Sequence, residues 1–395
     1  MAKPRRHIFL SCGEASGERY GADLVSALRS LDPDLRISAL GGRHVESRGA
    51  ELVHSSARLG VMGFAEVLHA WPAIAAARKA VGGFLQRNDV DLVVPVDFPG
   101  FNSWVAGRAH AAGIPVFWLI APQLWAWGEW RTGGLRRKID RLGTILPFEE
   151  QFFRDRGFDV FPMGHPLLDH YGPGFPYRES HQRRETVFND RNSPLTIGLI
   201  PGSRRQELRH LLPVFKVTAQ ALHGHLNPRP LRFVASVAPG LASRVVAEAL
   251  GSEVEICRDS LPSLLPRLDL ALVCSGTASL EAALAGVPHE VVYRTGRFNY
   301  ALARRLVKLR HIGLGNIILD EPVVREHVQQ DASPLLLARS ILRWVSRPTE
   351  REAFYKACDR IRERCGPVGV WERTAGALLE MLERRSDVPD GNGVS

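Results

Sequence analysis

The chain has 395 residues, of which 45% are hydrophobic and 24% are charged. This composition supplies enough apolar surface for large cores, and it excludes a disordered, collagen-like or coiled-coil chain. The five cysteines form no CxxC pair and no framework spacing, so we expect a reducing, cytoplasmic setting without a disulfide scaffold. The formal net charge of +9 indicates an anionic partner: a nucleic acid, an acidic membrane surface or a phosphorylated substrate.

The first apolar run, residues 8–12, is too short for the core of a signal peptide and is predicted to be a buried strand. No stretch reaches the roughly 18 uncharged apolar residues that a membrane-spanning helix needs. We therefore expect a protein that does not cross a membrane, although it could lie on one.

Short apolar runs alternate with helical patterns through the first half of the chain. Strands are predicted at residues 7–12, 35–40, 91–97, 114–120, 144–147 and 158–163, and helices near 22–29 and 104–112. Continuous apolar strands separated by helices predict a parallel sheet covered on both faces, which is the doubly wound α/β pattern.

The pattern stops in residues 171–194, which are rich in proline, glycine and charge and are predicted to be a linker. The alternation then restarts with a helix near 206–223 and strands at 195–200, 232–239, 254–259, 270–274 and 289–295. The sequence thus predicts two Rossmann-like domains, residues 1–170 and 195–345, followed by C-terminal helices and a disordered tail within 346–395.

Three loops after predicted strands of the first domain carry polar or aromatic groups. Residues 13–18, GEASGE, are not a GxGxxG turn, and their two carboxylates would repel a phosphate, so they favour a sugar hydroxyl or serve only as a turn and helix cap. Asp97 ends an apolar run, where burial raises a carboxyl pKa and favours a general base; the alternative is a cap of the next helix. Residues 121–128 contain Trp125 and Trp127, which could stack on sugars, face acyl chains or simply pack in the core.

Two loops of the second domain favour phosphate binding. Residues 201–205, PGSRR, place guanidinium groups beside a small-residue turn, as a diphosphate site requires, but lack the Walker lysine. Residues 275–281, SGTASLE, lead into a helix whose N–H groups could hold phosphate oxygens while Glu281 accepts from a ribose diol. Surface arginines and an ordinary helix cap are the alternatives.

Together these loops predict a two-domain sugar-nucleotide transferase, with a candidate base in the first half and phosphate-type loops in the second. None of these strand-end loops contains a DxD triplet, and no His or Cys cluster has metal-ligand spacing, so we expect neither a metal nor another cofactor. A nucleic-acid partner is not expected, because the tryptophans lie in strand-end loops and form no recognised binding module.

Several motifs carry a specific resemblance. The stretches are GEASGERYGADLVSAL, GVMGFAEVL, VDFPGFN, APQLWAW, LPFEEQFF, GHPLLD, IPGSRRQEL, SGTASLEAALAGVP and YALARRLVKLRHIGLGNIIL, in order from about residue 9 to 335. In them the chain resembles the lipid-A-disaccharide synthases, inverting glycosyltransferases of family 19. The resemblance implies an α/β GT-B fold, in which two Rossmann-like domains face each other across a cleft.

The resemblance also implies a reaction and a set of site residues. The family joins UDP-2,3-diacylglucosamine to 2,3-diacylglucosamine 1-phosphate (lipid X), giving lipid A disaccharide 1-phosphate and UDP. Asp97 matches the candidate base. The matching donor-side residues are Gly202, Ser203, Arg204, Ser275, Gly276, Thr277, Ala278, Glu281 and Asn316, and those placed on the acceptor and lipid side are Glu14, Ser16, Met62, Asn102 and Trp125.

The family further implies peripheral association with the cytoplasmic face of the inner membrane, and it is compatible with a homodimer. Residues 61–85 could form an interfacial helix and loop or a core helix, and the basic stretches 131–141 and 303–311 could meet anionic headgroups or be solvated faces. Departures from the family pattern, among them Phe98 and Gly100, leave two alternatives open. One is a related GT-B UDP-sugar enzyme, either a transferase with a different acceptor or an epimerase that uses another UDP-sugar. The other is a catalytically impaired homologue that binds lipid or UDP.

Overall fold

The computed structural model describes residues 6–57, 59, 64–87, 89–296, 300 and 309–386. The chain divides into two compact units: the first is Met1–Pro166 with Pro367–Ser395, and the second is Leu167–Gly366. The first unit therefore contains both ends of the chain, whereas the predicted division placed everything after residue 345 in a separate C-terminal segment.

The first unit is built on parallel strands. They are β1 His7–Cys12, β2 Arg36–Gly41, β3 Glu51–Ser55, β4 Leu92–Val96, β5 Phe117–Trp118, β6 Arg141–Thr144 and β7 Val160–Pro162. Hydrogen bonding gives the orders β3-β2-β1-β4 and β5-β6-β7, and isolated parallel bridges from Val93 to Val116 and from Val96 to Leu119 join the two sheets. Phe9 pairs with Ser38 on one side and Val93 on the other.

Helices cover both faces of this sheet. They are α1 Ala15–Leu31, α2 Arg43–Glu46, α3 Phe64–Arg87, α4 Pro99–Ala111, α5 Leu124–Trp127, α6 Thr132–Arg136 and α7 Pro147–Arg154. One apolar core contains Leu24 of α1, and the core on the opposite face contains Val81 of α3 and Val105 of α4. The continuous apolar strands follow from this arrangement, because a sheet covered on both faces has no solvent side.

The second unit repeats the pattern. Its strands are β8 Leu195–Ile200, β9 Leu231–Ser236, β10 Val254–Cys257, β11 Leu270–Cys274, β12 His289–Tyr293 and β13 Glu326–Val328, in the parallel order β10-β9-β8-β11-β12-β13. Ile197 pairs with Phe233 on one side and Leu270 on the other. This is the strand order of a dinucleotide-type doubly wound sheet, with the switch point between β8 and β11.

The helices of the second unit are α8 Leu168–Tyr171, α9 Tyr177–Asn189, α10 Arg205–Leu226, α11 Ser243–Leu250, α12 Leu261–Leu264, α13 Thr277–Leu284, α14 Leu314–Leu319, α15 Pro334–Ser346 and α16 Pro348–Arg364. The last helix, α17 Val370–Ser386, returns to the first unit and packs on α1, with the rings of Tyr20 and Trp371 5.7 Å apart.

Most predicted strands are present, with three differences. The strand predicted at 144–147 ends at Thr144, because Pro147 begins α7. The strand predicted at 114–120 pairs as β5 only at Phe117–Trp118. Strands β3 and β13 were not predicted, because each lies at a sheet edge and most of its residues are partly exposed. Residues 64–85 of the predicted interfacial segment lie in α3, and its first three residues lie outside the described residues. The predicted tail beyond residue 386 also lies outside them.

No helix in the described part of the chain is long and apolar enough to cross a membrane.

The segment predicted to be a linker, residues 171–194, contains α9, which belongs to the second unit. Its Arg184 is fully buried and donates hydrogen bonds to four backbone carbonyls, those of Leu265, Leu268, Ala285 and Gly286. Burial lowers the pKa of its guanidinium to about 10, so the group stays charged at neutral pH. One of the charges that suggested a linker, that of Arg184, therefore joins α9 to the second unit.

We predict that Arg184→Met lowers the free energy of unfolding by about 3 kcal/mol, because it leaves several buried carbonyls without donors. The control is Arg178→Met, which replaces an exposed arginine of the same helix. Urea unfolding followed by circular dichroism measures both variants. Equal stability of the two would show that Arg184 does not hold α9 in place.

Candidate active site

Asp97 lies directly after β4, at the carboxyl edge of the first sheet. Asp97 and Phe98 both have left-handed backbone conformations, with φ values of 46° and 49°. Such conformations cost about 1–3 kcal/mol for residues other than glycine, and they persist only where the surroundings enforce them. The Asp97 N–H donates to the Leu119 carbonyl at 2.9 Å, which ties the bend to the neighbouring chain segment.

Asn102 supplies the main constraint on this bend. It is fully buried, and its Nδ2 donates to the carbonyls of Asp97 at 2.7 Å, Val96 at 3.1 Å and Ser11 at 3.1 Å. Its Oδ1 accepts from the Ser11 hydroxyl at 2.6 Å. Asn102 was predicted on the acceptor side, but the structure makes its amide a bridge between the ends of β1 and β4. We assign it a positioning role.

The Asp97 carboxyl has the electrostatic character expected of a general base. Burial raises its pKa to about 6, the negative charge of Glu14 contributes to the rise, and the Phe98 N–H lowers the pKa in part. A carboxyl with this pKa is mostly ionised at neutral pH, yet it binds a proton more strongly than an ordinary aspartate does.

Glu149 is a second buried carboxyl at this edge, and the sequence analysis missed it. Its Oε1 accepts from the Trp125 indole N–H at 2.9 Å, and its Oε2 accepts from the backbone N–H groups of Ile145 and Leu146 at 3.1 and 3.0 Å. Burial raises the Glu149 pKa to about 7, and the charge of Asp97 adds to the rise. The signal was present in the proline at the first helical position followed by Glu149 at the third, which is typical of a helix start.

Trp125 therefore uses its indole N–H inside the protein. Its ring also packs edge-on against Phe148, with the ring centroids 4.7 Å apart, and it remains half-buried. Trp125 can therefore present the apolar face of its ring to a ligand, but not its N–H group.

Phe98 closes the site against the first loop. A Cβ atom on Gly13 would lie 2.0 Å from the Phe98 ring, so only glycine fits beside it. The Phe98 ring continues into a row of aromatic side chains, with centroid separations of 6.2 Å to Phe101 and then 5.7 Å to Trp104. Phe98, which departs from the family pattern, is thus accommodated because the neighbouring loop has a glycine at position 13.

The remaining predicted acceptor-side residues are only partly described. Glu14 precedes α1, close enough to Asp97 to influence its pKa. The backbone of Ser16 lies in the first turn of α1, and Met62 lies outside the described residues. The other carboxylate of that loop, Glu18, accepts from the His44 N–H at 2.8 Å at the start of α2.

The arginine turn of the second unit lies between β8 and α10. Glu207 Oε2 accepts from the backbone N–H groups of Ser203 and Arg204 at 2.9 and 3.0 Å, and Oε1 lies 3.6 Å from the Arg204 guanidinium. A Cβ atom on Gly202, whose φ is 98°, would meet Glu207 Oε2 at 2.2 Å. The carboxylate thus occupies the backbone donors of this turn, and the Arg204 side chain, 61% exposed, is the group that it offers to an anion.

The second predicted phosphate loop follows β11. Gly276 precedes α13 with a φ of 129°, and no described side chain caps this helix. The Ser275 hydroxyl donates to the Ile312 carbonyl at 2.8 Å, which leaves the backbone at Thr277 and Ala278 to face an anion with the helix dipole. Glu281 is half-buried in the second turn of α13.

Asn316, predicted to bind the donor, is buried in α14 and bonded to protein atoms. Its Nδ2 donates to the Val324 carbonyl and Glu326 Oε1, both at 2.9 Å, and its Oδ1 accepts from the Val324 N–H at 3.0 Å. Glu326 also accepts from the backbone N–H groups of Ile312 and Gly313. Asn316 and Glu326 therefore shape the loop beside α13, a positioning role that sequence matching alone did not show.

We predict that Gly13→Ala lowers the free energy of unfolding by about 2 kcal/mol, because the new methyl group displaces the Phe98 ring. The matched control is Gly100→Ala in the first turn of α4, where a Cβ atom meets nothing within 4 Å. The control is expected to be neutral or slightly stabilising, since alanine is the better helix former. Thermal unfolding of both variants tests this, and equal stability would refute the packing argument.

Known proteins are similar to this chain along nearly its whole length. A profile described as lipid-A-disaccharide synthetase matches residues 8–368. A protein of Trichlorobacter lovleyi named lipid-A-disaccharide synthase is 36% identical over 387 residues, which cover 97% of this chain and 99% of that protein. A second, of Geobacter metallireducens, has the same name and is 34% identical over 385 residues, with the same two coverages.

Solved structures agree on the fold. The glycotransferase of kitacinnamycin aligns with a TM-score of 0.64 at 14% identity, covering 96% of this chain and all of that one. A UDP-GlcNAc 2-epimerase from Neisseria meningitidis, bound to UDP-GlcNAc, aligns with a TM-score of 0.61 at 12% identity. The alignment covers 95% of this chain and all of the epimerase. The predicted GT-B fold is thereby confirmed, and this chain belongs to the lipid-A-disaccharide synthase family of glycosyltransferases.

Proposed function

We propose that this chain transfers the diacylated glucosamine of UDP-2,3-diacylglucosamine to lipid X, with Asp97 as the general base. The products are lipid A disaccharide 1-phosphate and UDP. The observation that carries the proposal is the Asp97 carboxyl at the end of β4, held in a strained bend with its pKa raised to about 6, in a chain of this family.

The proposed reaction is an in-line displacement. The acceptor 6-hydroxyl oxygen attacks the anomeric carbon of the donor while Asp97 takes the hydroxyl proton. The bond between the anomeric carbon and the β-phosphate oxygen breaks, its electron pair leaves with UDP, and the configuration inverts. The transition state has oxocarbenium character, as in glycoside hydrolysis.

Two features of the second unit would stabilise the departing diphosphate. The exposed Arg204 side chain supplies a positive charge, and the uncapped start of α13 at Thr277 supplies N–H donors and the helix dipole. Each well-placed donor contributes about 3–4 kcal/mol to such a transition state. Because Glu207 already binds the backbone of the arginine turn, Arg204 acts through its side chain.

Both proposed substrates carry acyl chains, so the enzyme has to meet them at a lipid surface. We place it on the cytoplasmic face of the inner membrane as a peripheral protein, in agreement with its surplus of basic residues. A homodimer remains a prediction from the family resemblance.

We predict that Asp97→Asn lowers kcat at least a hundredfold and leaves UDP affinity within about threefold, because the base acts on the acceptor. In the native enzyme kcat/KM should rise with pH through an apparent pKa near 6, as the Asp97 carboxyl loses its proton. The variant should lack this rise. Thin-layer separation of the disaccharide product measures turnover, and calorimetry measures UDP binding.

The control for Asp97 is Asp89→Asn, an exposed aspartate before the start of β4, at the opposite edge of the sheet. Equal loss of turnover and UDP binding in the Asp97 variant would contradict its assignment as the base. UDP binding without any product from the native protein would instead favour a homologue with another acceptor or without turnover.

We predict that Arg204→Met weakens UDP binding by at least tenfold, because it removes the cationic side chain from the turn after β8. The neighbouring exposed Arg205 is the matched control, and Arg205→Met should change the affinity less than threefold. Calorimetric titration with UDP measures the affinity of both variants. A similar loss in both would indicate a general charge effect and no specific contact.

A further inference from the structure

Three of the eight tryptophans expose at least half of their surface. Trp130 is 86% exposed, Trp71 61% and Trp127 51%, while the other five are buried or half-buried. A side chain of this size normally buries most of its area, and large exposed aromatics are typical of binding surfaces. Their position in the fold is therefore informative.

All three tryptophans lie toward the same edge of the first unit. Trp127 ends α5, shortly after β5, and Trp130 lies in the 3₁₀ turn Glu129–Arg131 that follows. Trp71 lies in the first half of α3, the helix that follows β3. A helix that follows a parallel strand begins at the carboxyl edge of the sheet, and that edge also carries Asp97.

Trp127 and Trp130 lie in a segment with a surplus of basic residues. Residues 127–141 contain five basic and two acidic residues. Both acidic side chains have partners: Glu129 pairs with Arg156, and Asp140 accepts from the Val116 N–H at 2.8 Å. The Arg131 guanidinium lies 5.7 Å from the centre of the Trp127 ring, which places a cation beside the exposed indole.

Arg137 is the most available of these cations. It is exposed, and within the described part of the chain no hydrogen bond or ion pair joins its guanidinium to another residue. Arg136, by contrast, donates to the Gly157 carbonyl at 3.3 Å, and Lys138 donates to the Ser103 hydroxyl at 3.2 Å. The surface thus combines a protruding indole, a second indole with its own cation and an unpaired guanidinium.

We propose that Trp127, Trp130, Arg131 and Arg137 form the surface by which the first unit docks on an anionic phospholipid membrane, called here the indole–arginine patch. Indole rings partition to the region of lipid headgroups, and arginines bind the phosphates there. The patch lies toward the sheet edge that carries Asp97, so docking brings that edge to the lipid surface. The inference extends the proposed function, since substrates with acyl chains have to be taken from a membrane.

Co-sedimentation of the full chain with vesicles tests the patch. One vesicle is phosphatidylcholine alone, and the other contains about a third phosphatidylglycerol, which makes its surface negative. We expect binding to the anionic vesicles to be roughly tenfold stronger at low salt. Trp130→Ser should weaken that binding about fivefold to tenfold, and Arg137→Gln about threefold, an effect that high salt removes.

The control combines Leu335→Ser with Arg339→Gln on α15, which removes an exposed apolar side chain and an exposed arginine from the second unit. It should bind vesicles like the native chain. Native-like binding by Trp130→Ser, or an equal loss in the control, would overturn the inference. Loss of a concentration-dependent dimer in Trp130→Ser, with vesicle binding unchanged, would also overturn it and make the patch a contact between copies.

Turnover on detergent-dispersed substrates separates this inference from the proposed function. If Trp130-dependent vesicle binding is found but the native chain yields no disaccharide, the docking surface stands and the proposed function fails. If the native chain yields disaccharide while Trp130→Ser binds vesicles normally, the proposed function stands and the patch fails.

Discussion

The active edge of the first unit depends on the side chain of one buried asparagine. Asn102 holds three carbonyls and one hydroxyl from two neighbouring strand ends. Together with the bond from the Asp97 N–H to the Leu119 carbonyl, these bonds enforce the left-handed bend at Asp97. The position of the carboxyl thus depends on a helix residue five positions later in the chain. The geometry of the proposed base is therefore set by the strand ends around it, and its raised pKa follows mainly from the burial that this geometry imposes.

Two turns of the second unit differ in the donors that they leave exposed. In the arginine turn, Glu207 accepts from the backbone N–H groups, and the guanidinium of Arg204 remains exposed. At α13 the side chains near the turn bond elsewhere, so the backbone itself remains the donor surface. In the proposed site, a diphosphate would meet one charged side chain and one helix start. The Glu207 carboxylate would stay bonded to backbone N–H groups beside it.

Strand positions and the location of Asp97 could be predicted because they depend on local patterns. A long apolar run that ends in a carboxylate is visible in one stretch of sequence. The roles of Asn102 and Asn316 could not be predicted, since each depends on contacts with carbonyls whose positions the fold alone determines. The role of Arg184 was missed for the same reason. A charged residue in a proline-rich stretch is expected to be solvated, and only the fold brings the carbonyls of the turns before β11 and after α13 around it.

The return of α17 to the first unit has a consequence for biosynthesis. Trp371 and Leu378 belong to the same apolar core as Leu24 of α1, and Arg373 donates to the Met163 carbonyl at 2.9 Å. A ribosome delivers these residues only after every residue of the second unit has been made. Domains generally fold as units during synthesis. The second unit can thus close its core first, while the core on the α1 side of the first unit stays incomplete until α17 has been synthesised.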